Sequence, residues 1–293
     1  MAATSAGTGP FVWSAGTGPD AAPVTTRTQM YAASITKQFL AALVGQSVLA
    51  RRLELDAGVR QILPLLPSWA EQVQVRHLVH HTAGLPTTSR LLRTLNLSDE
   101  AALDNQLVLH GLSELPRLDE TPGRVFVYSN IGYVLLAEIL RAVTGADPAV
   151  LAHQALLTPL GLTDTGIRTS APYPLRSPPP RTVGDGGLWT TATDLLHWLE
   201  ALNRRRLGDE LTDLLQTAGH LDDGTCLDYA WGMTVRPAVL GATYTHGGTW
   251  PGWTAKTVRN PAAGTALALL TGHDDAHLVS DVAMAAHEQL LTG

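Results

Sequence analysis

The sequence predicts an α/β (α+β) fold: an antiparallel sheet flanked by helices, formed from both chain ends, with an inserted all-helical subdomain. The first observation is a set of short β-rich runs separated by Gly, Pro and Asn in the last quarter of the chain, at 227–235, 242–245, 253–258 and 265–270. The second is a strand pattern near the start, at 11–14, and the third is a mostly helical pattern from 97 to 165. Because strand-forming residues lie at both ends, the simplest fold joins them in one sheet.

The first long helix is expected to run from Ser34 to about Leu49, since Ile35, Phe39 and Leu43 recur every four residues. Ser34 then lies in the first turn, and Lys37 shares its face. A hydroxyl and an amine one turn apart suit an acyl-transfer nucleophile, because the amine takes the hydroxyl proton and the helix N-terminus favours negative charge. The alternative is that Ser34 only caps the helix and Lys37 is a surface lysine.

Further elements follow in chain order from apolar periodicity and from helix stops. The predicted helical stretches are 55–63, 75–81, a run opened by 98–100, 129–145, 147–161, 193–203, 209–217 and 277–291. Residues 166–185 are proline-rich and are expected to form a rigid connector without an element of their own. We expect an α/β sheet domain at 1–74 and 183–293, a helical insert at 75–182, and a ligand cleft between them.

A second candidate group is Tyr128 and Asn130, which lie two residues apart just before a predicted helix. The Tyr128 phenol suits proton transfer between nucleophile and leaving group, and the Asn130 amide suits binding of a substrate carbonyl. The alternative is a buried tyrosine followed by Ser129 or Asn130 as a helix N-cap.

A third group is the stretch from His246 to Trp250, which contains Gly247 and Gly248. Paired glycines at a strand edge let a substrate approach the backbone closely. The Thr249 amide would then face the Ser34 amide as a two-donor oxyanion hole, with Trp250 as a wall of the substrate pocket. The alternative is a plain glycine-rich turn.

The order Ser-x-x-Lys, Tyr-x-Asn and His-x-Gly resembles the serine β-lactamase and penicillin-binding-protein superfamily. The Tyr-x-Asn form is similar to the class C β-lactamase branch, which includes family VIII carboxylesterases, D-aminopeptidases and DD-peptidases. The further matching stretches are 78–86, 159–162, 186–195 and 229–233. The resemblance runs from about residue 24 to 272, which is most of the chain.

The resemblance implies a role for each matching position. Ser34 is the acylated nucleophile, Lys37 its partner amine and Tyr128 the proton-transfer phenol. The substrate-binding positions are Asn130, His246, Gly247, Gly248, Thr249 and Trp250, with Thr249 supplying the second oxyanion amide. His80, His81 and Thr82 are expected to shape the loop beneath the cleft, and no metal or organic cofactor is required.

Two departures from the family pattern matter. His246-Gly247-Gly248 stands in place of Lys-Thr-Gly, which removes a positive charge and a hydroxyl that help to bind a β-lactam carboxylate. The resemblance therefore implies an esterase- or peptidase-like serine hydrolase with weak or no β-lactamase activity. The alternatives are a true β-lactamase or DD-peptidase, and a non-catalytic binding protein of the same fold. The second departure is the short segment before residue 24, in which only residues 11–15 are available for a strand. The sheet then has an uncovered edge, which favours self-association.

Composition and charge exclude several other classes of protein. The net charge of -6 gives no basic surface for nucleic acid, and no apolar run reaches the length of a membrane span. The start has no signal-peptide pattern, so we expect a cytoplasmic protein, monomeric or homodimeric, that acts on a small ester, amide or peptide. The alternative of a metal enzyme would use histidines and aspartates at 77–81 or 273–277, but neither stretch has a recognised metal-ligand spacing.

Overall fold

The computed structural model describes residues 1–5, 9–18, 22–173, 175 and 177–292. The strands are β1 (Ala2–Thr4), β2 (Phe11–Val12), β3 (Met30–Tyr31), β4 (Gly166–Ile167), β5 (Leu188–Thr190), β6 (Thr234–Pro237), β7 (Ala242–Trp250), β8 (Trp253–Asn260) and β9 (Thr265–Thr271). The α-helices are α1 (Thr36–Leu49), α2 (Val59–Ile62), α3 (Val75–Val79), α4 (Thr88–Thr94), α5 (Asn105–Ser113), α6 (Asn130–Thr144), α7 (Pro148–Ala152), α8 (Thr158–Leu160), α9 (Ala192–Asn203), α10 (Asp209–Gln216) and α11 (Ala276–Thr292). Short 3-10 turns cover Ala33–Ile35, Ser68–Glu71 and Glu100–Ala102, and a π-helical turn covers His153–Leu157.

The main sheet joins the two ends of the chain, which confirms the predicted fold class. Within the described residues its strand order is β2-β1-β9-β8-β7-β6, and every neighbouring pair is antiparallel. The expectation that only 11–15 supplies an N-terminal strand is wrong. Ala2 pairs with Val12 on one side and with Ala268 on the other, so the first residues form a buried strand between β2 and β9.

A second, small sheet was not predicted. Strands β3, β5 and β4 pair in that order, with Tyr31 opposite Trp189 and Gly166 on the other side of Trp189. The connector predicted to lack elements therefore begins with a strand, and residues 174 and 176 of it lie outside the described residues. The prediction missed β4 because two residues carry no periodicity, and their pairing depends on a strand that follows about 20 residues later.

The helices agree with the predicted pattern where the apolar period is long. Helix α6 begins at Asn130 and ends before Gly145, which adopts a left-handed conformation (φ 70°) at the helix C-terminus. The predicted helix at 55–63 is helical only over Val59–Ile62. Strand β7 is longer than predicted and runs through His246 to Trp250, so the glycine pair belongs to a strand and not to a turn.

A continuous hydrophobic core packs α1 against both the helical part and the sheet. Buried Gln38 of α1 joins three elements, since its amide nitrogen donates to Thr257 Oγ1 of β8 at 2.9 Å and its oxygen accepts from Trp198 Nε1 of α9 at 3.0 Å. The expected division into 1–74 with 183–293 and 75–182 stays a prediction. No helix within the described part of the chain is both long and apolar enough to span a membrane.

We expect Gln38→Leu to lower the free energy of unfolding by about 2 to 4 kcal/mol, because it leaves the buried Trp198 Nε1–H without its acceptor and removes the hydrogen bond to Thr257 Oγ1. Urea denaturation measures the change. The matched control is Gln106→Leu at an exposed position of α5, which we expect to change stability by less than about 0.5 kcal/mol. Equal effects of the two substitutions would contradict this role for Gln38.

Candidate active site

Ser34 lies in the middle of the 3-10 turn that leads directly into α1. The turn begins with Ala33 at a positive φ of 44°, an uncommon conformation for a residue other than glycine. Lys37 lies in the first turn of α1, and its Nζ is 2.9 Å from Ser34 Oγ. The predicted pairing of hydroxyl and amine is therefore present in the structure, and Lys37 is not a surface lysine, because it is 0% exposed.

The Lys37 amine is held by three oxygen atoms from three separate segments. Besides Ser34 Oγ, Nζ contacts Asn130 Oδ1 at 2.9 Å and the backbone oxygen of Asp185 at 3.0 Å. Asn130 is the first residue of α6, and Asp185 lies in the segment before β5. The three contacts satisfy the buried nitrogen and fix its position beside the Ser34 hydroxyl.

Tyr128 lies next to this group and opens to solvent. Its side chain is 42% exposed, and its ring centroid is 5.1 Å from Lys37 Nζ. The alternative of a buried tyrosine is therefore wrong. Ser129 occupies the N-cap position of α6, but its side chain makes no capping hydrogen bond. Helix capping by this side chain therefore does not explain the residues at 128–130.

The His81 ring packs against the Tyr128 ring. The two rings are 4.3 Å apart, His81 Nδ1 accepts the Ser129 N–H at 3.1 Å, and the His81 carbonyl accepts the Val127 N–H at 2.9 Å. Burial, followed by the charge of Lys37, lowers the pKa of His81 well below its usual value. The ring is thus neutral, and it holds the segment before α6 against the buried amine.

His246 lies on β7 and is buried, with 7% exposure. Its Nδ1 donates to the Gly247 carbonyl at 2.6 Å, since a carbonyl only accepts, and its Nε2 accepts from the Tyr229 hydroxyl at 3.1 Å. Burial, with a smaller contribution from the Lys37 charge, lowers the pKa of His246 to about 3. This position therefore carries a neutral imidazole near neutral pH, where the family pattern has a lysine.

The glycine pair brings β7 against the turn that carries Ser34. A Cβ atom at Gly248 would overlap the carbonyl oxygen of Ala32 and lie 3.1 Å from the Ser34 nitrogen, so only glycine fits without a shift. Thr249 follows on this strand and is exposed. The half-buried Trp250 donates its Nε1–H to the Ser177 carbonyl at 3.3 Å. The close approach puts the Ser34 backbone nitrogen beside the strand that continues to Thr249.

Two contributors to this site were missed in the sequence: the Asp185 carbonyl and the Tyr229 hydroxyl. His81 was expected to shape the loop, and the structure adds its ring contact with Tyr128. Asp185 directly precedes the stretch 186–195 and Tyr229 opens the stretch 229–233, both of which carry the family resemblance, and this is the signal that could have found them. Across the part of the chain that the structure describes, no group of three or more His, Cys, Asp and Glu side chains is arranged to hold a metal ion.

Comparison with known proteins identifies a family and several relatives of this chain. The model of the family described as Beta-lactamase matches residues 1–290. Penicillin-binding protein 4* of Bacillus subtilis (strain 168) is 24% identical over 270 residues, which cover 81% of this chain and 59% of that protein. The D-aminopeptidase of Gluconobacter oxydans (strain 621H) is 25% identical over 253 residues, which cover 79% of this chain and 47% of that protein. The chain thus spans about half the length of the curated relatives it matches.

Solved structures share the fold. The penicillin binding protein from Bacillus halodurans is similar with a TM-score of 0.80 and 22% identity, and the match covers 99% of this chain and 94% of that one. At this identity the similarity shows that the two proteins share a fold.

We expect Gly248→Ala to lower Tm by about 5 °C or more, because the new methyl group forces β7 away from the Ser34 turn. The matched control is Gly247→Ala, where the nearest heavy atom to a new Cβ lies 3.8 Å away. Scanning calorimetry of both variants measures the difference. A drop of the same size in the control would show that strand glycines matter here for another reason than close approach.

We also expect His246 to make the fold sensitive to mild acid. A histidine with a lowered folded pKa stabilises above its unfolded pKa of about 6.5, and that stability is lost as the pH falls toward the folded value. Between pH 7 and 5, wild type should therefore lose about 2 kcal/mol of unfolding free energy relative to His246→Gln. Urea denaturation of both proteins at the two pH values measures this, and parallel pH profiles would contradict a buried neutral imidazole.

Proposed function

The chain belongs to the beta-lactamase family, as its motifs predicted, and within that family we propose that it is a serine hydrolase that cleaves amide or ester bonds through an acyl-enzyme. The observation that carries the proposal is the set of three contacts around Lys37 Nζ. The names of its relatives, which include a D-aminopeptidase, support the choice of amide and peptide substrates.

The chemistry of the three contacts favours Lys37 as the base. Two partners, the Asn130 amide oxygen and the Asp185 carbonyl, can only accept hydrogen bonds. When Lys37 is a neutral amine, its two N–H groups point to these acceptors, and its lone pair is left to face Ser34. Ser34 is the partner with a proton to give, so the geometry prepares transfer from Oγ to Nζ.

The reaction then proceeds in two steps. Ser34 Oγ attacks the carbonyl carbon, its proton passes to Lys37, and the backbone N–H groups of Ser34 and Thr249 stabilise the oxyanion. The N-terminus of α1 adds to this stabilisation. Tyr128 relays the proton to the leaving amine or alcohol, the carbon–leaving-group bond breaks, and water then attacks the acyl carbon and releases Ser34.

The remaining positions define how substrate is bound. Asn130 positions the substrate carbonyl, Gly247 and Gly248 let it approach β7, and Trp250 forms a wall of the pocket. The neutral His246 cannot attract a substrate carboxylate as a cation would, which favours esterase- or peptidase-like activity over efficient β-lactam hydrolysis. We expect a small ester, amide or peptide as substrate and a monomer or homodimer in solution.

We expect intact-mass analysis to show covalent labelling of wild type by a fluorophosphonate probe, alongside turnover of p-nitrophenyl butyrate. Ser34→Ala should lose the label, and its ester turnover should fall on the order of 10³-fold or more, as should that of Lys37→Met. The matched control is Ser47→Ala in the same helix, where the buried hydroxyl donates to the Leu43 carbonyl. This variant should be labelled and turn over ester like wild type.

A label that persists in Ser34→Ala would show that another residue is the nucleophile. Labelling of Ser34 without turnover of esters or amides would favour an acyl-accepting binding protein of the same fold. Absence of both label and turnover in wild type would overturn the proposed function.

A further inference from the structure

The segment before α6 exposes four apolar side chains in a row. Val125, Phe126, Val127 and Tyr128 are each between 37% and 42% exposed, and they form the longest run of exposed large apolar side chains among the described residues. Single exposed apolar residues are normal on a protein surface, whereas a contiguous group of them marks a binding surface. This group contains Tyr128 of the proposed active site.

Hydrogen bonds hold this segment along the loop that carries His81. The Val127 N–H donates to the His81 carbonyl at 2.9 Å, and the Gly123 N–H donates to the Thr82 carbonyl at 2.8 Å. At the end next to α6, the Ser129 N–H donates to His81 Nδ1 at 3.1 Å. The exposed side chains therefore lie on a backbone whose position is fixed, so a ligand that binds them has little ordering cost to overcome.

Ring contacts place Phe126 beside Tyr128 on one face of the segment. The Phe126 and Tyr128 rings both pack on His81, with centroids 5.9 Å and 4.3 Å away respectively. They also both pack on Tyr229, at 5.7 Å and 6.3 Å. Because His81 and Tyr229 are buried, they lie beneath the two exposed rings. The outer sides of Phe126 and Tyr128 thus form an aromatic surface that faces solvent.

The aromatic surface begins next to the reacting atoms and extends away from them. The Tyr128 ring lies 5.1 Å from Lys37 Nζ, and in the proposed reaction the Tyr128 hydroxyl gives its proton to the leaving group. A leaving group within reach of that hydroxyl lies against Tyr128, and Phe126 is the next ring on the same face. The His81 imidazole beneath both rings is neutral, because burial lowers its pKa. Such a surface favours an aromatic group, since offset and edge-to-face ring contacts add to the burial of apolar area.

We infer that Phe126 binds the leaving group of the substrate, so that the enzyme selects esters or amides whose alcohol or amine part carries an aromatic ring. This inference rests on the proposed function and names the substrate class of that same site. The acyl part lies on the other side of the scissile bond, and Phe126 does not select it. The competing interpretation is that a second copy of the chain covers residues 125–128.

Two isomeric esters separate selection of the leaving group from a general preference for apolar substrates. Phenethyl propionate carries a phenyl ring on its alcohol part, ethyl hydrocinnamate carries the same ring on its acyl part, and ethyl propionate is their common parent. Titration of the released acid at constant pH gives kcat/KM for all three. The corresponding amides are tested as competitive inhibitors of p-nitrophenyl butyrate turnover, so that binding is measured even where hydrolysis is slow. For wild type we expect phenethyl propionate to be preferred over ethyl propionate by about 10-fold or more.

Substitution of Phe126 tests the residue. Phe126→Ala should reduce the preference for phenethyl over ethyl propionate by about 5-fold or more, mainly through KM or the inhibition constant. The ratio of ethyl hydrocinnamate to ethyl propionate should stay within about 2-fold of wild type, because its ring lies on the acyl side. Phe126→Trp keeps an aromatic ring and should retain the preference.

The matched control is Phe11→Ala. It removes an exposed ring from β2, at the edge of the main sheet away from β7, and should keep every wild-type ratio. Because each ratio compares two esters on one variant, an effect on Tyr128 that all substrates share cancels.

Three results would overturn the inference. One is a wild type that binds and cleaves the parent compounds as well as the phenethyl compounds. Another is a preference that Phe126→Ala leaves unchanged; if this variant also dissociates a dimer in sedimentation velocity, the segment is an interface between copies. The third is an equal fall in both ratios, which would show that Phe126 does not distinguish the leaving group from the acyl part. In each case Ser34-dependent turnover of p-nitrophenyl butyrate leaves the proposed function standing, whereas its absence overturns both.

Discussion

The buried Lys37 nitrogen and its three oxygen partners are the interaction on which the rest of the site depends. A fully buried amine is costly unless its hydrogen bonds are satisfied. Here the partners come from the Ser34 turn, from the start of α6 and from the segment before β5. The helical part of the chain and the sheet part therefore have to meet for the amine to be held beside the hydroxyl.

Close packing turns this contact into a preorganised site. Strand β7 approaches the Ser34 turn so closely that a side chain at Gly248 would overlap Ala32. On the other face of α1, Gln38 binds both α9 and β8, which restrains the helix behind its reactive end. His81 holds the Tyr128 segment in the same way from the helical side. Rigid support of this kind keeps donors and acceptors aimed at the reacting atoms, so that little reorganisation is needed during reaction.

Electrostatics distinguishes this site from one built for anionic substrates. The imidazole of His246 is buried with a pKa of about 3, so β7 supplies no cation near neutral pH. Loss of that positive charge connects the departure from Lys-Thr-Gly with the proposed esterase- or peptidase-like activity.

The sequence by itself determined the family, the long helices and the spacing of Ser34 and Lys37, because these depend on residues one helical turn apart or on motifs in a recognisable order. It also predicted one sheet from both chain ends, and the structure confirms this. Only the tertiary structure decided that Ala2–Thr4 is a buried strand, that Gly166–Ile167 pairs with β5, and that the glycine pair lies within β7. It likewise decided that the Asp185 carbonyl reaches Lys37 and that the His81 ring packs against Tyr128. Asn130 and Asp185 lie 93 and 148 residues from Lys37 along the chain. No local pattern encodes such contacts, since they form only when packing of the whole core brings the segments together.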